Sequence, residues 1–308
     1  MSNPKVSIII PTYNRENLIQ RAIKSITNQT RQDYEIIIAD DASTDNTEEV
    51  IKSMQNSKII YFKLEKNSGQ CVSRNLAIKK ARGEYIGFLD SDDEWLPEKI
   101  EKQIKVFENS EDPNLGAVYC GFIEKDEVLN KTVTINKGNR KGDLYKDLLS
   151  GWCPSTPTMF MVKRSVMKKV NGFDENLPTF VDYDLWLRIA QAGYTFDFVD
   201  EPLIVKYEHL GEQIAKNPSK RVEGLKIFIH KWGEQIKNVN GKKVFVRWKR
   251  NKIEALVRSI LDNPIPGSEY GGKFSFSLLR QGKSNNLKLY IKSIMLSIFG
   301  KSSLSFTK

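Results

Sequence analysis

The sequence predicts an α/β protein: a Rossmann-like, mixed but mainly parallel sheet covered by helices, followed by a basic, mostly helical carboxyl-terminal extension. Two observations predict the sheet and a third the extension. Short runs rich in β-branched residues alternate with helical patterns through the first hundred residues, which is the sequence form of βαβ units. That rhythm then loosens into strand pairs and isolated helices. Charge divides the chain as well, because residues 216–308 carry 20 Lys+Arg against 5 Asp+Glu while residues 1–215 carry 28 against 33. An acidic body of residues 1–215 and a basic region of residues 216–308 are therefore expected to meet different partners.

The elements follow in order. Val6 to Ile10 reads as a buried strand, and Leu18, Ile19, Ala22, Ile23 and Ile26 make one apolar stripe on a helix from Arg15 to about Asn28. Tyr34 to Ala39 is the second strand. Ser43 or Thr44 is suited to cap a helix over Thr47 to Met54. Lys58 to Leu64 is a third strand, Gly69 to Ala81 a helix closed by Gly83, and Tyr85 to Leu89 a fourth strand. Pro97 suits the first turn of a helix running to about Phe107. Beyond it, Gly116 to Glu124 and Lys131 to Ile135 form a strand pair, Thr158 to Val162 a strand, Val181 to Gln191 a helix, and Thr195 to Tyr207 two short strands.

Composition excludes several classes. With 308 residues, 40% hydrophobic and 28% charged, the chain is neither disordered nor a disulfide miniprotein. Cys71, Cys120 and Cys153 are odd in number and widely spaced, so neither a disulfide framework nor a thiolate zinc site is indicated, and a cytoplasmic protein is expected. The apolar run Val6–Ile10 is too short for a signal core or a bilayer span.

Ligands of open parallel sheets bind outside the carboxyl ends of the strands. Those ends hold Pro11-Thr-Tyr13-Asn14, Asp40-Asp41 and Asp90-Ser91-Asp92-Asp93. Clustered carboxylates repel unless a cation sits among them, and oxygen donors without a His/Cys set favour Mg²⁺ or Mn²⁺, which complete their shells with substrate phosphates. A metal–diphosphate pocket is the economical reading; a turn followed by acids at a helix start is the plainer one. An EF-hand is rejected because Trp95 stands where its sharp turn needs glycine.

The segments Val6–Arg15, Asp40–Asp45, Asn67–Asn75, Gly83–Asp93, Gly172–Leu177 and Val181–Arg188, in this order, resemble family 2 glycosyltransferases with the GT-A nucleotide-diphospho-sugar transferase fold. The likeness covers about residues 4–210. It implies that Tyr13, beside Pro11, stacks on the nucleobase, that Asp41 bonds the base edge, and that Asp40 supports the turn. By the same resemblance, Asp90-Ser91-Asp92 is the D-x-D motif, with Asp92 on the metal and Asp90 on ribose or metal-bound water. Arg74 becomes a contact for the nucleotide or its phosphates, with a helix-surface arginine as the competing reading. Asp182 matches the catalytic base that takes the acceptor hydroxyl's proton, and Asp184 is its structural competitor. Where the family often has Glu-Asp, this chain has Val181-Asp182, which puts in doubt the acceptor-binding role of the first acid. His209 stands where some GT-A enzymes place a metal or diphosphate ligand, with a surface histidine as the alternative. Trp152 and Cys153–Met161 would line the acceptor side, while the spacing of Trp186 suits core packing.

The implied reaction is an inverting, Mn²⁺- or Mg²⁺-dependent transfer from a nucleoside-diphosphate sugar, a UDP-sugar first, to a saccharide or lipid-linked acceptor in cell-surface polysaccharide or glycolipid assembly. A non-catalytic sugar-nucleotide or membrane-surface binding module is the alternative, against which the intact Asp41, Asp90, Asp92 and Asp182 argue. The stretch Gly267–Lys273 has phosphate-loop spacing, but Phe274 replaces the metal-binding hydroxyl. Leu287, Ile291, Ile294, Met295 and Ile298 share one face of a helix over residues 286–299, which either packs on the acidic part or lies on the anionic inner face of the plasma membrane. No nucleic-acid partner is expected, since no binding module is visible.

Overall fold

The computed structural model describes residues 3–127, 129, 131–154, 156–208, 217–262 and 272–281, with 284, 286, 289 and 293. The chain divides into two compact units. The first comprises Met1–Tyr145, Cys153–Glu175 and Val181–Leu210; the second comprises Lys146–Trp152, Asn176–Phe180 and Gly211–Lys308.

In the first unit, strands β1 (Val6–Thr12), β2 (Tyr34–Asp40), β3 (Ile59–Lys63) and β4 (Tyr85–Phe88) alternate with helices α1 (Ile19–Thr27), α2 (Thr47–Ser53) and α3 (Gln70–Lys80). All four strands pair in parallel, in the order β3-β2-β1-β4. Ile8–Ile10 and Ile36–Ile38 are fully buried, the continuous apolar run expected of parallel strands covered on both faces. The rest of the sheet is mixed. It is built from β5 (Glu94–Trp95), β6 (Leu115–Asp126), β7 (Lys131–Asn136), β8 (Met161–Lys163) and β9 (Thr195–Glu208), with α4 (Lys99–Glu108), α6 (Arg164–Lys169) and α7 (Val181–Gln191) between them, while α5 (Tyr145–Ser150) runs into the second unit. Strand β8 joins β4 to β6 antiparallel, β9 runs parallel to β6, and β7 hangs from β6 as an antiparallel hairpin.

Several local expectations are corrected. Thr195–Glu208 is one bulged strand instead of two, because register shifts against β6 absorb the Asp200-Glu-Pro202 break. Thr158 lies in a 3₁₀ turn (Pro157–Met159) ahead of the short β8. Gly83 does not close α3 in a left-handed conformation; a Cβ there would meet Ser7 N at 2.5 Å, so the glycine lets two backbones approach. The start of α2 is served by Asp45, whose Oδ1 accepts from Thr47 N–H at 3.1 Å, while Ser43 Oγ accepts from Asn14 N–H.

Beneath the mixed half lies a fully buried lysine. Lys99 donates to Gln103 Oε1 at 2.6 Å and sits over the Trp95 ring, 4.0 Å from its centroid. Gly87 leaves room for that ring, since a Cβ there would lie 2.6 Å from Trp95 Cη2. Burial holds the lysine's pKa down to about 8.

The second unit contains α8 (Pro218–Asn240), α9 (Lys242–Asp262) and α10 (Gly272–Gln281). Asn217 caps α8 by accepting from Lys220 N–H, with Pro218 in its first turn, and Gly241 (φ 84°) separates α8 from α9. Phe228, Trp232, Ile236, Trp248 and Val257 are buried, with the Phe228 and Trp248 rings stacked at 5.7 Å. The expected amphipathic helix over 286–299 lies outside the described residues apart from 286, 289 and 293, and the Gly267–Lys273 loop falls largely outside them. Among the described residues, no helix is long and apolar enough to cross a membrane.

Candidate active site

The loops after β1 and β2 interlock. Asp40 is fully buried: its Oδ1 accepts from Ser43 N–H at 2.7 Å and its Oδ2 from the Tyr61 hydroxyl at 2.8 Å. Asp41 accepts from the backbone N–H groups of Ser68 and Gly69 at 2.7 and 2.8 Å, one on each oxygen. Asp41 thus clamps the segment entering α3, and a base edge would reach it only through its remaining lone pairs. Asn14 (φ 51°) and Ala42 (φ 67°) take left-handed conformations that fold the two loops together. Pro11 pairs with Ala39 inside the sheet, and Tyr13 at 40% exposure presents an open ring.

Around the aspartates after β4, one buried arginine organises the charge. Arg74, on α3, is only 2% exposed; its Nη2 donates to Asp90 Oδ1 at 2.5 Å and its Nη1 to Gln70 Oε1 at 2.9 Å. Burial opposes its charge, but Asp90 and Asp182 outweigh burial and hold its pKa above the ordinary value. The helix-surface reading of Arg74 is thereby corrected. Asp90 Oδ2 accepts from Thr156 Oγ1 at 3.1 Å, and its N–H donates to Thr158 Oγ1 at 3.1 Å. The Thr158 hydroxyl in turn donates to Asp93 Oδ2 at 2.8 Å. Burial, with repulsion from Asp90 and Asp92, pushes the Asp93 carboxyl well above the usual range. Ser91 is buried at 7% exposure and Asp92 half-buried, with the Asp92 carbonyl accepting from Arg21 Nη2 at 2.9 Å.

Asp182 stands in the first turn of α7. Its Oδ1 is buried without a hydrogen-bond partner, and burial raises its pKa to about 7, with Arg74 pulling down and Asp90 pushing up. Asp184 is fully buried and ion-paired with Arg188 Nε at 2.7 Å, the arrangement of a structural acid. Trp186 is core, stacked on Phe160 at 3.6 Å between ring centroids. Within the proposed acceptor segment, Thr158–Met161 is buried, and the Thr158 hydroxyl braces the aspartate loop; Trp152 and Cys153 are half-buried. His209 lies outside the described residues.

Asn75 ties α3 to the loop before α7: its Nδ2 donates to Phe173 O at 2.9 Å and Glu175 Oε1 at 2.8 Å, and its Oδ1 accepts from Phe173 N–H at 2.8 Å. Gly172 (φ 65°) passes so close that a Cβ would lie 2.3 Å from Asn75 Oδ1. Gly172→Ala is therefore expected to lower stability by about 1–3 kcal/mol in urea unfolding, from left-handed strain and the broken amide bonds. Asn75, Thr156 and Thr158 are placements that residue patterns do not reveal, because each acts through a partner remote in sequence.

Among the described residues no three His, Cys, Asp or Glu side chains converge to hold a metal alone. Half-buried Asp90 and Asp92 offer oxygen donors only, a set that fits a hard cation completed by diphosphate.

Residues 7–170 match the profile of Glycosyl transferase family 2. The chain is 37% identical over 211 residues to the uncharacterized glycosyltransferase MJ1057 of Methanocaldococcus jannaschii, covering 67% of this chain and 71% of that one. It is 35% identical over 190 residues to the Escherichia coli UDP-Glc:alpha-D-GlcNAc-diphosphoundecaprenol beta-1,3-glucosyltransferase WfaP, covering 61% of this chain and 71% of WfaP. Three longer rickettsial glycosyltransferases are matched over about a third of their length, 32–36%. In fold, the mannosyltransferase PcManGT of Pyrobaculum calidifontis, solved with GDP-Man and Mn²⁺, aligns at a TM-score of 0.58 and 18% identity, covering 99% of this chain and 86% of that one. With a sheet of this topology, its aspartates at the expected strand ends and a profile matched over more than half its length, the chain belongs to glycosyl transferase family 2.

Proposed function

We propose that this glycosyltransferase transfers a sugar, with inversion, from a nucleoside-diphosphate sugar to an acceptor hydroxyl, with Asp182 as general base. The observation that carries this reading is the state of Asp182: a buried carboxylate oxygen without a hydrogen-bond partner, a pKa near 7, and Arg74 close enough to stabilise its charged form. The Asp182 oxygen accepts the proton as the acceptor oxygen attacks the anomeric carbon and the nucleoside diphosphate departs. Tyr13 offers a face to the base, while Asp40 and Asp41 hold the loops that frame it. Arg74 fixes Asp90 and places positive charge beside the departing group. A Mn²⁺ or Mg²⁺ held by Asp92 and Asp90 would supply charge neutralisation for the diphosphate.

UDP is the donor nucleotide we favour, from the UDP-Glc named for WfaP; the GDP-Man of PcManGT makes GDP the rival. The acceptor we infer is lipid-linked, as WfaP's name specifies for that enzyme, with polysaccharide or glycolipid assembly at the cytoplasmic membrane face as its setting.

Thermal unfolding with UDP, GDP, dTDP or CMP, each with and without Mn²⁺, tests the donor site. A ligand bound to the native state at about a hundred times its Kd stabilises by about 2.7 kcal/mol. A Mn²⁺-dependent rise in Tm with one nucleotide, lost in Asp92→Ala, is the expected result. No rise with any nucleotide in folded protein would overturn the donor reading.

A further inference from the structure

The β6–β7 hairpin is chemically out of place on the acidic unit. Leu129, Val133 and Ile135 are 60%, 50% and 62% exposed, three of the large apolar side chains left open on the surface. Residues 125–141 also carry five Lys/Arg against two Asp/Glu, a basic island within a part of the chain that is acidic overall. A bulge at Val133 breaks the alternation along β7, so Ile135 shares its face with Thr132 while Lys131 falls on the other, but every residue of this strand is exposed and Lys137 follows at its end. Lys131, Lys137, Arg140 and Lys141 are all exposed.

The base of the hairpin is also held in place. Tyr119 Oη donates to Arg140 O at 2.7 Å and accepts from Arg140 N–H at 2.9 Å. Gly121 admits Asn136 O to within 2.1 Å of where a Cβ would sit, and Gly138 lies against the Phe198 ring. At the other end of the hairpin Glu127 is ion-paired with Arg21, the arginine that donates to the Asp92 carbonyl. Exposed apolar side chains and cations thus share a hairpin that Arg21 links to the candidate diphosphate loop.

We propose that this exposed hairpin is a contact for an anionic lipid surface, seating Val133, Ile135 and Leu129 among headgroups with the flanking lysines on lipid phosphates. Apolar side chains with flanking cations match a bilayer interface in both respects, whereas nucleic acid would meet only the cations. Pairing of two copies along the open edge of β7 would bring Lys131 of one toward Lys137 of the other, a like-charge approach. The contact stands on the hairpin alone. Its purpose, holding the donor site where a lipid-linked acceptor is displayed, rests on the acceptor reading above.

The test is co-sedimentation of the full chain with acceptor-free vesicles of phosphatidylcholine, with and without phosphatidylglycerol. Val133→Asp/Ile135→Asp is compared with Thr132→Asp/Thr134→Asp, which adds the same charge to the same strand without removing an apolar side chain. Lys131→Gln/Lys137→Gln forms a third pair. Binding to the anionic vesicles is expected, weakened about tenfold or more by the Val/Ile pair and by much less for the Thr pair. The lysine pair is expected to lose the preference for phosphatidylglycerol. Unchanged Tm and nucleotide-induced shift in all variants would show that the fold and donor site are intact, separating this result from any failure of the donor reading. Absence of vesicle binding, equal loss from both Asp pairs, undiminished binding of the Val/Ile pair, or a dimer in solution dispersed by that pair would overturn the proposal.

Discussion

Asp182→Asn is expected to leave nucleotide binding intact and to lower kcat by about 10²- to 10⁴-fold, the range for loss of a positioned general base. The amide keeps the shape of the carboxylate but cannot accept the acceptor's proton. In the unsubstituted enzyme, kcat/KM is expected to rise with pH through about 7 and then level, since burial raises the Asp182 pKa to that value and only the ionised form is a base. Stability runs the other way. With the folded pKa above the unfolded one, the folded state binds the extra proton between about pH 4 and 7, so the stability attached to this group falls as pH rises through that window. Asp182→Asn should then raise the stability at pH 8, by an amount on the order of 1–3 kcal/mol, seen as a higher Tm. Steady-state kinetics and thermal unfolding on one preparation check both halves, and a variant at once inactive and destabilised would speak against the assignment.

Arg74→Leu is the second large effect. The guanidinium is buried, and its forked donors reach both Asp90 and Gln70. Removing it leaves the Asp90 carboxylate with the Thr156 hydroxyl as its side-chain donor, which should cost about 3 kcal/mol in urea unfolding, as for other broken buried pairs. It also removes the one charge that lowers the Asp182 pKa. Whatever activity survives should therefore have its pH profile displaced upward. Arg74→Lys keeps the charge but cannot span both partners, so it should restore part of the pH profile and little of the stability. A profile that stays put in Arg74→Leu would separate Arg74 from Asp182.

The parallel half of the fold was legible because β-branched runs and amphipathic helices carry their periods locally, from Val6 through Phe88. The mixed half was less so. The Thr158 turn, the single bulged strand β9 and the short helices at Tyr145–Ser150 and Arg164–Lys169 owe their form to tertiary partners. Among site residues, Asp40, Asp90 and Asp182 stand at strand or helix ends as the spacing predicts. Asp41 and Arg74 are less simple, since Asp41 braces Ser68 and Gly69 while Arg74 is buried against Asp90. Those pairings join segments tens of residues apart, and no local pattern encodes them. The resemblance sets Asp182 ahead of Asp184, and packing supplies the physical difference, giving Asp184 its arginine and leaving Asp182 Oδ1 buried without a hydrogen-bond partner.

Lys99 gives this molecule an internal gauge of opening. With a pKa of about 8 its amine is substantially uncharged in mildly alkaline buffer, and so intrinsically more reactive toward acylating reagents than lysines of ordinary pKa. Fully buried against Trp95 and Gln103, it is shielded from every such reagent until the mixed half of the sheet opens. The rate at which a mild acylating agent, slow against reclosing, labels that position therefore follows the population of the opened state, and a bound donor that tightens the aspartate loop would be seen as slower labelling.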